Sequence, residues 1–387
     1  MRILMLHNRY LTAGGEEQCS AAETALLRDY GHDVELVEED NRRIAELGNL
    51  KTAVRTIWSA ESYRAISEKL RTGKFDVLHA HNTFPLWSPS VYYAASHHNV
   101  PVVQTLHNYR LMCVNSLLFR DQHVCEECLG RFMPWQGIRH ACYRNSHMAS
   151  AVLAAMLGTH KVAGTWTKRV GTYIAISETS RQKYIDGGFP EEKIVVKPNF
   201  LHPSPEPGAG GGGYALYAGR LSAEKGIITM LEAWKSATNP IPLKIVGDGL
   251  LRAQVEDAAR TFPVIEYVGL KSLEEVLKLM ARAEFLVFPS EWNETMGRTI
   301  MEAFAVGTPV VAAKIGPPVS MVTPGQTGFH FSPGNAAELR ERVEWCSRNA
   351  GQVRALRGNC RAAFEAQYTG AANVKMLMAI YDALQQE

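Results

Sequence analysis

The feature that most restricts the fold of this chain is an alternation that runs through it twice. Short apolar, β-rich runs are each followed by a stretch of helical character, and one Pro/Gly-rich segment separates the two series. MRILMLHN reads as a strand, LTAGGEEQ turns into a helix from about Gln18 to Tyr30, and HDVELVEED follows as a second strand after Gly31. FDVLHAHN (75–82), VPVVQTLHN (100–108) and TYIAISE (172–178) are further strand-like runs, and IVVKPNFL closes this half. Strands separated by helices predict a parallel sheet, because parallel neighbours need a crossover connection. PSPEPGAGGGG, residues 203–213, holds no side chain able to build a core and reads as a flexible interdomain linker. The pattern then restarts with YALYAGR (214–220), a helix from about Gly226 to Ala237, PLKIVGDG (242–249), a helix from about Leu250, and VIEYVGL (264–270). AEFLVFPS (283–290) and GTPVVAA (307–313) continue it.

The expected fold class is therefore α/β, with two doubly wound, Rossmann-like domains facing each other across a cleft. The first spans 1–202 and the second 214–370. Residues 371–387 carry apolar positions at helical spacing from Val374 to Leu384 and are expected to form a helix docking back on the first domain.

A length of 387 residues fits two domains. A net charge of +2 with 21% charged residues gives no support to a nucleic-acid binder or a disordered acidic chain. His7, Asn8 and Arg9 interrupt the N-terminal apolar run, and no apolar run approaches the roughly 18 residues of a membrane span. A cytoplasmic location follows as the expectation, with peripheral contact at the inner membrane face left open. Seven cysteines without an export signal point to reduced thiols.

Glu294 and Glu302, within PSEWNETMGRTIMEAFAVGTPVV, flank an expected helix start that follows a strand. Amides of Thr295, Met296, Gly297 and Arg298 at that start form an anion site, and ionised carboxylates beside it accept hydrogen bonds from hydroxyls. The plain alternative is two solvated glutamates. AGRLSAEKGI sets Arg220 and Lys225 beyond a strand end, where two cations suit a diphosphate; a surface pair of Arg220 with Glu224 is the competing reading. Gly14 and Gly15 in the first strand–helix turn permit close backbone approach to a ligand. His107 follows the strand VPVVQTL, and His79 and His81 share its ambiguity between hydroxyl contact and structure. The GxGxxG dinucleotide fingerprint is missing, which disfavours a nicotinamide dehydrogenase.

GRLSAEKG, IVGDG, and the Glu pair followed by EAFAVGTPVV resemble the retaining glycosyltransferases of the GT-B fold, family 4, over nearly the whole chain. The resemblance implies that Arg220 and Lys225 hold a donor diphosphate, that Glu302 binds the ribose and that Glu294 lies by the donor sugar. It implies further that His107 contacts the transferred sugar, that Gly14 and Gly15 lie on the acceptor side, and that Gly247, Gly249 and Val268 line the base pocket. One departure stands out: Thr295-Met296-Gly297 replaces the more usual Gly-Phe-Gly or Ser-Phe-Gly. The implied ligands are a UDP- or GDP-sugar donor and a saccharide or lipid-linked saccharide acceptor, with no catalytic metal. A GT-B epimerase, a phosphorylase and a non-catalytic sugar-nucleotide sensor are the alternatives. A Cys-containing insertion at about 110–148 carries Cys113, Cys125, Cys128 and Cys142, whose single CxxC leaves a structural zinc open against buried or free thiols.

Overall fold

The computed structural model describes residues 1–11 and 14–385. The chain divides into two compact units: the first takes Met1–Leu118, Cys125–Pro198 and the chain from Asn373 onward, and the second takes Phe119–Val124 and Asn199–Ala372.

In the first unit β1 (Arg2–Arg9), β2 (Asp33–Asp40), β3 (Val77–Ala80) and β4 (Val102–Leu106) are followed by a short antiparallel hairpin, β5 (Phe119–Arg120) and β6 (His123–Val124), which groups with the second unit. β7 (Thr172–Ala175) and β8 (Ile194–Val196) complete a parallel six-stranded sheet of order β2-β1-β3-β4-β7-β8. β1 is buried at six consecutive positions because both sheet faces are covered. Its alternate residues serve two cores: Leu4 and Leu6 enter one cluster, Ile3 and Met5 the other. The second cluster is closed by Leu377 and Tyr381, both fully buried, from the helix Gly370–Leu384. Leu377 alone contributes about 1.5–3 kcal/mol through burial. The last two residues of the segment expected to dock, Gln386 and Glu387, lie outside the described residues.

The second unit holds β9 (Ala215–Ala218), β10 (Leu243–Val246), β11 (Ile265–Gly269), β12 (Phe285–Phe288), β13 (Val310–Ala313) and β14 (Gly328–Phe331). Their order, β11-β10-β9-β12-β13-β14, reverses direction between β9 and β12. In an open parallel sheet that reversal parts the loops at the carboxyl edge and leaves a crevice for a ligand.

The Pro/Gly-rich segment is not a loose tether. Gly208, Gly210 and Gly212 donate their amides to the carbonyls of Val306, Ala281 and Arg282 at 2.9, 3.0 and 2.8 Å. The Arg357 guanidinium donates to the carbonyls of Gly208, Ala283, Ala281 and Val306 and to Thr308 Oγ1, all within 3.1 Å. Glycine suits this path because a Cβ on Gly208 would lie 2.2 Å from the Ala281 carbonyl oxygen. Composition alone hid this, since a glycine run that swings freely and one pressed flat on a neighbouring backbone read alike.

Candidate active site

The loops after β9 and β12 meet at the reversal of the second sheet. Gly226, at φ 68°, lets the first loop lie on the second, for a Cβ there would sit 1.9 Å from the Pro289 carbonyl oxygen. This closeness brings Lys225 to Glu294: Nζ donates to Oε1 at 2.7 Å, and Ser290 Oγ donates to the same oxygen at 2.6 Å. Lys225 Nζ also lies 5.6 Å from the centre of the Trp292 ring. A cavity of about 80 Å³ opens here, lined among others by Tyr217, Gly219, Lys225, Ser290, Glu294 and Arg298.

The other expected charges are placed differently. Glu302 is 4% exposed and accepts from Arg298 Nε at 2.9 Å; burial pushes its pKa up and Arg298 pulls it back. Arg298, read from sequence only as a backbone donor, thus brings a side-chain cation to the cavity. Arg220 has an exposed side chain whose Nη2 lies 3.1 Å from Glu224 Oε1, the surface pair weighed above. Tyr217, also missed from sequence, donates its hydroxyl to the Arg220 carbonyl at 2.8 Å, and burial beside Glu294 and Glu224 keeps it protonated.

The helix Arg298–Ala305 starts directly after Gly297, with the amides of Ile300 and Met301 returning to the Gly297 carbonyl. A Cβ on Gly297 would lie 2.8 Å from Ile300 Cδ1, so this glycine serves close packing at φ −82°. Met296 is buried with Sδ 3.4 Å from the Asn199 amide, and Thr295 is half-buried. Gly247, at φ 141°, would place a Cβ 1.8 Å from the Gly219 carbonyl oxygen, and Gly249 would place one 2.4 Å from that of Leu221. Both fasten the loop after β10 to the loop after β9. Val268 precedes Gly269, whose carbonyl accepts from the Gly247 amide at 3.0 Å.

In the first unit, His107 follows β4 and its Nε2 lies 2.9 Å from His81 Nδ1, with the ring centres 5.2 Å apart. His79 is engaged at both nitrogens, by Tyr381 and Thr105, each at 2.7 Å. Gly14 and Gly15 lie at the start of the helix Gly15–Asp29, but the Gly14 amide donates to Glu17 Oε2. That amide is therefore already committed to a side chain, a commitment that the glycine pair gave no sign of. Beside it burial pushes the Glu16 carboxyl up to about 8, against hydrogen bonds from Asn108 and Tyr10. The folded state thus keeps this proton in a range where the unfolded chain has lost it, and stability falls as pH rises from the ordinary carboxyl range through 8. Paired unfolding curves of wild type and Glu16→Gln should show wild type losing about 1–3 kcal/mol relative to the variant between pH 5 and pH 8. Parallel curves would show that the carboxyl is already ionised at pH 5.

Cys113, Cys125, Cys128 and Cys142 are not disulfide-bonded. Burial, with the other three thiols adding to it, pushes Cys128 up to about 12. Among the described residues the set of metal-ligating atoms lying within 4.8 Å of one another is that of Glu23, His79 and His81, so the four sulfurs do not converge to that degree. Among the described residues no helix is long and apolar enough to cross a membrane.

Two such sheets, one with a cation, a carboxylate and a helix start at its reversal, define an α/β protein of the Rossmann-like class. The family models agree: Glycosyltransferase Family 4 matches residues 13–204 and Glycosyl transferases group 1 matches 205–362, and the chain belongs to these group 1 glycosyltransferases of GT-B fold. It is 30% identical over 132 residues to an uncharacterized glycosyltransferase of Methanocaldococcus jannaschii, covering 34% of this chain and 37% of the relative. It is 32% identical over 174 residues to a glycogen synthase of Mycobacterium tuberculosis, covering 42% of each. The matched stretches therefore span well under half of these curated relatives. Across the full length, the crystal structure of Anabaena HepE in complex with UDP superposes with a TM-score of 0.67 at 18% identity, covering 99% of this chain and 100% of that one, a likeness of fold.

Proposed function

We propose that this protein transfers a sugar from a nucleotide-diphosphate donor to an acceptor hydroxyl with retention of anomeric configuration. The observation that carries the reading is the Lys225–Glu294 contact at 2.7 Å, set beside the start of the helix Arg298–Ala305 at the reversal of the second sheet. Lys225 has three N–H donors, so it can keep Glu294 and still face a phosphate oxygen. Arg220, whose own side chain is exposed, swings from Glu224 to the same diphosphate, and Glu302, steadied by Arg298, takes the ribose hydroxyls. As the sugar–phosphate bond breaks, negative charge grows on the leaving diphosphate, which the two cations stabilise more than they stabilise the bound donor. That diphosphate oxygen can take the acceptor proton as the acceptor attacks from the same face, so no protein carboxylate serves as a nucleophile.

His107 is assigned to the transferred sugar, Gly14 and Gly15 to the acceptor side, and Gly247, Gly249 and Val268 to the base. A UDP- or GDP-sugar is the proposed donor; the UDP named for HepE favours the first. A saccharide or lipid-linked saccharide is the proposed acceptor, in the synthesis of cell-surface polysaccharide or glycolipid, at a cytoplasmic site. The test is incubation with UDP-, GDP- and ADP-sugars with and without saccharide acceptors, followed by NMR of the anomeric proton. An acceptor glycoside with the donor's configuration is expected. An inverted product overturns retention, and a converted sugar nucleotide without acceptor indicates an epimerase. Turnover dependent on inorganic phosphate indicates a phosphorylase, and binding without turnover a sensor.

A further inference from the structure

A second group of ionisable side chains lies inside the first unit, where the carboxyl ends of β3, β4 and β8 bring together residues far apart in sequence. Lys197, after β8, donates from Nζ to Glu23 Oε2 at 2.6 Å. The other carboxylate oxygen, Oε1, faces His81 Nε2 at 3.3 Å. Both atoms are buried, and neither makes a hydrogen bond of good geometry among the described residues, so the 3.3 Å approach is a close polar contact. His81 Nδ1 in turn meets His107 Nε2 at 2.9 Å. Glu23, Lys197, His79 and His81 are each no more than 2% exposed.

Charge and proton counting fix the direction of this chain. The single negative charge of Glu23 is already matched by Lys197, so a second positive charge on His81 would be unmatched in a buried site. His81 is then neutral and carries one proton. An ionised carboxylate accepts only, so that proton sits on Nε2, facing Glu23 Oε1. His81 Nδ1 is left as an acceptor, and the hydrogen bond to His107 must be donated by His107 Nε2. Burial, with Lys197 acting the same way against Glu23, holds His107 well below its ordinary range and so neutral at pH 7. We propose that the buried series Lys197–Glu23–His81 is a positioning relay that fixes His107 as the tautomer protonated at Nε2, with an unprotonated Nδ1.

The consequence for substrate is specific, and it rests on the glycosyl-transfer reading given above. A contact that His107 makes with substrate through Nδ1 is made as an acceptor, since a nitrogen without a proton accepts from a hydroxyl but cannot donate to a ring oxygen or carboxylate. The relay therefore selects a sugar that presents a hydroxyl to His107. His81 acts through His107 rather than on the sugar, as an orienting group does in other histidine sites.

The test uses the full chain labelled with ¹⁵N-histidine, with the His107 signals assigned by their loss in His107→Gln. At pH 7 long-range ¹H–¹⁵N correlations should show His107 protonated at Nε2 alone and His81 likewise. His81→Phe, which keeps the bulk but removes both nitrogens, should abolish this preference at His107. It should also lower kcat by about tenfold or more while leaving the KM for donor within about twofold, as expected when only the orienter of a histidine is lost. His81→Asn, which keeps an acceptor near Nδ1, should restore part of both. A wild-type His107 protonated at Nδ1, a doubly protonated His81, or a tautomer unmoved by His81→Phe overturns the proposal. The wild-type spectrum needs no folded variant and no activity. A chain with the expected tautomer that turns over no nucleotide sugar would fail the transfer reading while leaving the relay intact.

Discussion

Lys225→Ala is expected to lower turnover of the nucleotide-sugar donor by about 10²-fold or more at saturating donor, the cost of deleting one preorganised charge that stabilises a developing anion. Arg220→Ala should fall in the same way, although its side chain is largely exposed in the absence of donor. The two differ in what else they disturb. Removing Lys225 takes the ammonium from Glu294, a residue only 7% exposed, while Ser290 Oγ still donates to it at 2.6 Å. Removing Arg220 frees Glu224, which Ser222 Oγ still serves at 2.6 Å. Lys225→Ala should therefore also lower the unfolding midpoint and Arg220→Ala should not, so activity loss in the second cannot be ascribed to unfolding. Lys225→Ala combined with Glu294→Gln should recover the midpoint without recovering turnover, because the buried charge is gone but the cation is still missing. Unchanged kcat in both single variants would remove the cations from the mechanism.

The largest effect on stability is expected at Lys197. Lys197→Met should cost about 3–5 kcal/mol, the usual result of deleting one partner of a buried ion pair. Burial alone would raise the Glu23 pKa, but Lys197, with His81 and His79, outweighs it and holds the carboxyl well below its ordinary range. A depressed carboxyl contributes stability that is present above its unfolded pKa and fades as pH falls through the folded value. In Lys197→Met the sign reverses: the abandoned carboxyl takes up a proton readily, so the deficit relative to wild type should shrink on acidification toward pH 4. Glu23→Gln with Lys197→Met should regain most of the loss at pH 7. Denaturant titrations of wild type and the two variants at pH 7 and pH 5 measure this, and a deficit independent of pH would show that packing, and not the uncovered charge, is responsible.

The two sheets were legible in the sequence because parallel strands buried on both faces leave continuous apolar runs. FLVF at 285–288 and VVAA at 310–313 lie where those runs predict them. Lys225 and Glu294 were legible as candidates, one paired with Arg220 and the other with Glu302, because both follow strand ends; the contact between the two themselves was not read, although strand ends in a doubly wound sheet converge. GFHF at 328–331 is a strand that the sequence reading did not reach. Its short run of alternating bulk, between the turn-rich 323–327 and Pro333-Gly334, carries too little periodic signal. The buried relay was illegible for a different reason. Glu23 sits within an ordinary helix and Lys197 lies 174 positions away, and a lone Glu in a helix is usually solvated. Only the strand order places them together. Gly247 and Gly249 were singled out for a ligand, yet the structure gives each a backbone reason to be glycine, which does not depend on the base pocket assigned to them.

The most direct measurement is a crystal structure of the chain with a nucleoside diphosphate. The account predicts a phosphate oxygen within hydrogen-bond distance of Lys225 Nζ and at the start of the helix Arg298–Ala305, with Arg220 turned away from Glu224 and the ribose at Glu302. A diphosphate bound elsewhere, with the Lys225–Glu294 and Arg220–Glu224 pairs both undisturbed, would contradict it.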